Sequence, residues 1–211
     1  MQAGGTLAQT GSRVAPAQKL RDASQVLIIA HRGCVGDAPE VSVASIHACA
    51  GKGIDGIELD IRKSKDGVLV SIHDATLDRT TDGTGRVADF TADELRERRL
   101  RRGNGGPNVV VTDEHLPTLE EMLLAAKQHG LIVHLDIKAA THVEVAEMVK
   151  KLGMEGQGIA WVTGSPDDAH QPPAQIGDVL AILPRIQDCP DGAPATCKPN
   201  DLKDLMGFAK Y

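Results

Sequence analysis

Residues 56–74 read GIELDIRKSKDGVLVSIHD. Glu58 and Asp60 stand two residues apart, so on an extended strand both carboxylates leave one face. Asp66-Gly67 follows, and this pair suits a two-residue type I′ turn, which needs positive φ at both central positions. Such a turn sets Lys65 against Val68 and, counting outwards, Asp60 against His73. Two carboxylates and an imidazole would then share one face, which is costly unless a site is built there.

Outward from this unit the chain alternates strand and helix. VLIIAHRG (26–33) is a short apolar run ending in polar residues and reads as a strand buried on both sides. A helix follows at 41–50, its face set by Val43, Ile46 and Ala50 and its end by Gly51 and Gly53. Segment 75–117 is polar and Gly-rich, too long for a plain connection, and reads as a functional insertion. Inside it, Thr91 and Glu94 make a capping-box pattern. Thr118 with Glu121 and Thr141 with Glu144 start two further helices, which end at Gly130 and Gly153. LIVHLDIK (131–138), GIAWVTG (158–164) and VLAILPRI (179–186) read as strands, and PNDLKDLMGFAKY as a last helix from Asn200. Strands separated by helices imply βα units and a largely parallel sheet, either a barrel or a doubly wound sheet. Polar residues gathered at strand ends favour the barrel, whose catalytic groups converge there. No G-x-G-x-x-G follows the first strand, against a dinucleotide fold.

The 211 residues suffice for one domain, read as a flexible tail over 1–25 and a (β/α) domain over 26–211. Hydrophobic residues make up 41% and charged residues 25%, a globular balance, and the net charge of −6 disfavours nucleic acid as partner. The aromatic residues Phe90, Trp161, Phe208 and Tyr211 are too few for a base-stacking groove. No apolar run approaches the roughly 20 residues of a membrane span. The first residues lack the basic start and apolar core of an intact signal peptide, so the chain as it stands reads as cytoplasmic; an incomplete N-terminus would allow a periplasmic or secreted protein. Cys49 reads as a buried thiol on a helix face. Cys189 and Cys197 bracket a turn-rich loop that an oxidising compartment could close as a disulfide, with free thiols favoured.

Glu58, Asp60 and Asp136 form a hard-oxygen set suited to one Ca²⁺ or Mg²⁺. Arg32 and Lys138 add positive charge suited to a phosphodiester. His31 and His73 suit a general acid and a general base. Taken singly, each has a plainer reading: a strand-end histidine is more often structural, as is expected for His47, His129, His142 and His170. Asp74 and Arg79 read as turn and loop residues ordering the insertion, and His115 and His134 stay open. The joint pattern carries the chemistry: a metal, two proton-transfer groups and a phosphate clamp.

AHRG…PE, GIELDIR, DGVLVSIHDATLDRTTDGTG, LPTLEE and LDIK, in that order over roughly 26–186, resemble the glycerophosphodiester phosphodiesterase family. The resemblance implies an irregular TIM barrel with a divalent cation at the strand C-termini. It implies His31 and His73 as the acid–base pair, Glu58, Asp60 and Asp136 as metal ligands, and Arg32 and Lys138 as phosphate contacts. The implied reaction is attack by the substrate's own glycerol hydroxyl, one histidine taking its proton and the other protonating the leaving alcohol, then opening of the cyclic phosphate by water; we assign His31 as base and His73 as acid.

Three departures stand out. Val41 follows Pro39-Glu40 where the family usually has asparagine, and Asp136 replaces the usual glutamate. Only about six strand signals are found, so the barrel reads as C-terminally incomplete, its gap exposing apolar surface near VLIIA and VLAILPRI unless a second copy or another segment covers it. The expected function is hydrolysis of glycerophosphodiesters. The alternatives are a lyase that stops at the cyclic phosphate and a non-catalytic remnant that binds metal, phosphate or a partner chain.

Overall fold

The computed structural model describes residues 16–21, 24, 26–162 and 176–184. In chain order these hold α1 (Pro16–Arg21), β1 (Ile29–Ala30), α2 (Val43–Ala50), β2 (Gly56–Lys63) and β3 (Leu69–Ser71). There follow α3 (Ala92–Arg96), β4 (Arg99–Arg101), β5 (Val111–His115), α4 (Leu119–His129), β6 (Ile132–Ile137), α5 (His142–Lys151), β7 (Gly158–Val162) and β8 (Leu180–Pro184). The main sheet runs β1-β2-β6-β7-β8, parallel throughout, as expected of βα units. The antiparallel strand β3 lies beside the C-terminal part of β2.

Alternation along β2 and β6 decides where the site lies. Ile57, Leu59, Ile61, Val133 and Leu135 turn to the helices and join Ile46 of α2, Met122 and Leu123 of α4, and Val145 and Val149 of α5 in one core. Their neighbours Glu58, Asp60, His134 and Asp136 therefore project from the other face. Register pairs Glu58 with His134 and Asp60 with Asp136, so polar residues from the two strands meet. The predicted capping boxes hold at α3, α4 and α5, where Thr91, Thr118 and Thr141 each exchange hydrogen bonds with a glutamate three residues on. Gly130 closes α4 as expected.

Several expectations are corrected. The reversal after β2 is a three-residue loop, not two: Ser64 faces Val68, and Gly67, at φ 86°, takes the left-handed position after a turn closed by its N–H to the Ser64 carbonyl. Asp66 is held by the Ser64 hydroxyl and the Ala92 N–H, which anchors this longer turn to the insertion. Register therefore shifts by one, and Ile72, not His73, donates its N–H to the Asp60 carbonyl. The first strand is only two residues long, and Val26 and Ile28 are 90% and 56% exposed rather than buried, because β1 has only β2 beside it among the described residues. At the other edge Leu180 is buried, while Ala181 and Ile182 are half-buried.

Cys49 is not a thiol but is joined to Cys34, Cα to Cα 5.3 Å, tying the loop after β1 to α2. Cys189, Cys197, His170 and the helix expected from Asn200 lie outside the described residues. Within the stretch read as a tail, α1 is anchored by Lys19, which bonds Asp55 at 2.7 Å. The insertion is a folded unit, with Leu77, Val87, Leu95, Leu100 and Leu116 packed beneath it on Val70 and Ile72. Its strands β4 and β5 escaped notice because charged and polar residues dominate both. Among the described residues no helix is long and apolar enough to cross a membrane.

The β2–β6 contact allows one direct test. A Cβ on Gly56 would lie 2.6 Å from the Ile132 carbonyl oxygen, whereas one on Gly36 would meet nothing within 4 Å. Gly56→Ala should therefore cost roughly 1–3 kcal/mol in urea unfolding, the range of overpacking. Gly36→Ala should stay within about 0.5 kcal/mol. Equal losses would contradict the close pairing of these strands.

Candidate active site

Glu58, Asp60 and Asp136 offer carboxylate oxygens that all lie within 4.8 Å of one another. Parallel pairing of β2 with β6 brings them together, and the carboxylates of β2 are withdrawn from solvent: Glu58 is 4% exposed and Asp60 1%. Both oxygens of Asp60 are buried without a hydrogen-bond partner. The nearest cations, Lys138 Nζ at 3.4 Å and Arg32 Nε at 3.6 Å, stand beyond good hydrogen-bonding distance. A buried carboxylate with two bare oxygens beside two further carboxylates could hold a cation, and an all-oxygen donor set would fit Ca²⁺ or Mg²⁺.

The field at this cluster follows from that packing. Burial, and then the charges of Asp60 and Asp136, push Glu58 up to about 7, although the Arg32 N–H donates to its Oε2 at 2.9 Å. Burial also raises Asp60, opposed by His73, Lys138 and Arg32. Burial would lower Lys138, but its bond to Asp136 and the charge of Asp60 outweigh that and raise it above an ordinary lysine.

The remaining expected residues line the same end of the sheet. His31 follows β1, its side chain 74% exposed, with Nε2 4.0 Å from Glu58 Oε2. Arg32 takes φ 58°, an uncommon conformation for a non-glycine residue that aims its N–H at Glu58 and its carbonyl at the Val41 N–H. Val41, at φ 49°, is a rarer case for a β-branched side chain, and it is buried in the core rather than facing the carboxylates. Gly33, at φ 82°, completes the turn against α2, where a Cβ would meet the Ser45 hydroxyl at 2.3 Å. Despite the shifted register, His73 stays close enough for its charge to act on Asp60.

Three residues that sequence reasoning left out of the site support it. Asp74 bonds Nδ1 of His73 at 2.7 Å, and Arg79 holds Asp74 through Nε at 2.7 Å and NH2 at 2.9 Å. The same guanidinium grips Glu40, through NH2 at 2.7 Å and NH1 at 2.9 Å. Its hydrogen bonds hold Asp74 well below the usual carboxylate range, and Glu40 and Asp74 raise Arg79 above an ordinary guanidinium. Arg79 thus joins the loop that carries His31 and Arg32 to the one that carries His73. The adjacency of His73 and Asp74 was a usable signal; the pairing of Arg79 with Glu40, 39 residues away, was not. His134 is 8% exposed, edge-on to Trp161 with centroids 4.5 Å apart, and its burial lowers its basicity. His115 bonds the Arg96 carbonyl, His142 the Trp161 carbonyl and His47 the His129 ring, so all four stand away from the carboxylates in structural contacts.

The raised Glu58 has a measurable consequence. Between its ordinary value of 4.5 and about 7, the folded chain keeps a proton that the unfolded chain has lost, so metal-free stability falls as pH rises through that window. In chelator, Glu58→Gln should gain on the wild type from pH 4.5 to pH 8 in urea unfolding. Excess cation should reverse the gain, because only the intact site is stabilised by binding. A difference independent of pH would contradict the raised carboxyl.

The family model described as glycerophosphoryl diester phosphodiesterase family matches residues 31–169. The chain is similar to human glycerophosphodiester phosphodiesterase 1, 41% identical in an alignment of 144 residues that covers 65% of this chain and 41% of that one. A glycerophosphodiester phosphodiesterase of Caldanaerobacter subterraneus is 39% identical over 115 residues, 54% of this chain and 46% of that one. The chain thus spans less than half the length of these curated relatives. Among solved structures, a glycerophosphoryl diester phosphodiesterase from Parabacteroides distasonis superposes with TM-score 0.66 at 26% identity, covering 87% of this chain and 59% of that one. An Oleispira antarctica phosphodiesterase in complex with sn-glycerol-3-phosphate gives TM-score 0.63 at 25% identity, covering 83% and 70%. Among the described residues the parallel sheet does not close, and with these neighbours the fold is TIM-barrel-like, as expected. From strand order, motif order and the matched span together, the chain belongs to the glycerophosphoryl diester phosphodiesterase family.

Proposed function

We propose that this chain hydrolyses glycerophosphodiesters to glycerol 3-phosphate and an alcohol, using one divalent cation and two histidines. The observation that carries the proposal is the buried trio Glu58, Asp60 and Asp136, with bare oxygens on Asp60, flanked by His31 and by a His73 already oriented through Asp74.

Glu58, Asp60 and Asp136 would hold Ca²⁺ or Mg²⁺, which supplies neutralisation of charge growing on the phosphoryl oxygens. Arg32 and Lys138 stand beside the same carboxylates and clamp the phosphate. Asp74 engages Nδ1 of His73, which leaves Nε2 to give a proton to the departing alcohol. His31, exposed beside Glu58, takes the proton of the attacking glycerol hydroxyl. A base in water and an acid pinned by its neighbour suit that division of roles. The Cys34–Cys49 disulfide favours an oxidising compartment, periplasmic or extracellular, over the cytoplasm.

Purified protein assayed on glycerophosphocholine and glycerophosphoethanolamine should release a linear phosphomonoester, and chelator should abolish the release. A product that stops at the cyclic phosphate would make the chain a lyase, and no turnover with Ca²⁺ or Mg²⁺ would leave the binding remnant. His31→Ala and His73→Ala should each lose at least ~10²-fold in rate, the usual scale of an acid–base group. Near-full activity in either variant would remove that histidine from the mechanism.

Arg79→Gln should lower kcat by roughly tenfold with KM little changed, the scale of lost support behind a catalytic histidine. Arg79→Lys should recover part of that loss, and nitrogen NMR of His73 should show Nδ1–H weakened in the Gln variant only. An unchanged His73 signal would reduce Arg79 to a purely structural residue.

A further inference from the structure

Beside the carboxylate site lies a small cavity of about 110 Å³, lined by Arg62, Lys63, Ala75, Arg86, Val87 and Ala139 among others. Ala75 follows Asp74 and Ala139 follows Lys138, so two of the lining residues are chain neighbours of residues at the proposed reaction centre. Arg62, two residues beyond Asp60 on β2, donates Nε to the His73 carbonyl at 2.9 Å. Its side chain makes no ion pair among the described residues, nor does that of exposed Arg86. Lys63 pairs with Glu144 at 2.5 Å. Arg62 does stand in the field of Asp60, Asp74 and Asp136. Those carboxylates are engaged, Asp74 by His73 and Arg79, Asp136 by Lys138, and Asp60 by the cation the site would hold. Two guanidiniums facing one cavity without a carboxylate between them suit planar, bidentate recognition of an anion.

We propose that this cavity is a head-group subsite, in which Arg62 and Arg86 receive an anionic group carried by the departing alcohol of the substrate. The inference rests on the phosphodiesterase reading and deepens it, because it selects among glycerophosphodiesters by the charge on their alcohol. The scissile phosphate does not account for the cavity, since Arg32 and Lys138 already stand at the carboxylates where that phosphate would lie. A carboxylate or a second phosphate on a short alcohol would reach past His73 and Ala75 to the arginines.

Glycerophosphoserine and glycerophosphoethanolamine differ by one carboxylate on the alcohol and share the scissile phosphate, so they form a matched pair of probes. With Mg²⁺ or Ca²⁺ at low salt, kcat/KM should favour the serine ester by about tenfold, the scale of one charge-assisted hydrogen bond. Arg86→Ala should bring the ratio towards one, and Arg86→Glu should invert it, with ethanolamine turnover retained in both. Equal kcat/KM for the two esters in the wild type, or a ratio indifferent to Arg86, overturns the subsite. A second readout separates this from the enzymatic reading: shifts of backbone amide resonances at Ala75 and Val87 on adding glycerophosphoserine to the full chain. Shifts that depend on Arg86 without turnover of either ester would keep the subsite and overturn the hydrolase. Turnover without Arg86-dependent shifts or preference would do the reverse.

Discussion

Three carboxylates within 4.8 Å of one another, on the buried face of two paired strands, set the terms for everything around them. Two of them are almost wholly withdrawn from water, so their mutual repulsion is poorly screened. The fold meets that stress by raising Glu58 to about 7 and by bringing Arg32 and Lys138 close to Asp60 without closing hydrogen bonds to it. A compact positive charge able to touch several oxygens at once would complete this balance. A divalent cation has that character, and a side-chain ammonium or guanidinium does not.

The histidines depend on a different device. Both lie on loops, and loops hold a reacting geometry only when tied down. His73 is fixed by Asp74, Asp74 by Arg79, and Arg79 by Glu40 from the loop after β1. The Cys34–Cys49 link fastens that same loop to α2 three residues after His31. The insertion thus contributes more than bulk. It delivers Arg79, and its Asn104 carbonyl takes a further bond from that guanidinium at 2.5 Å. Left-handed backbone at Arg32 and Val41 is the strain this loop carries, held in place by the Arg32 N–H to Glu58 and the Val41 N–H to Arg32.

The strands β2, β6, β7 and β8 and the starts of α3, α4 and α5 were legible because they follow from period and capping, which are local. Alternation alone set the E-x-D pair on one face, and pairing of β2 with β6 then brought Asp136 to it. Where the reading failed, the deciding contact was not local. Asp66-Gly67 looked like a two-residue turn, but Asp66 is drawn to the Ala92 N–H of the insertion, and the loop gains a residue. Cys49 looked like a core thiol, because nothing in spacing pairs it with Cys34 rather than with Cys189 or Cys197. Arg79 looked like a turn residue, because Glu40 is remote in sequence. The Arg62–Arg86 cavity was hidden for the same reason: its walls come from four separate stretches of chain.

The central claim is that Glu58, Asp60 and Asp136 would hold one cation, and that Glu58, raised to about 7, gives up its proton when the ion binds. Calorimetric titration with Ca²⁺ and with Mg²⁺, in buffers of different ionisation enthalpy, measures the protons released per ion bound. The account predicts one ion per chain, with most of one proton released at pH 6 and little at pH 8, since Glu58 titrates near 7. Binding with no proton release at either pH, or no binding at all, would contradict it.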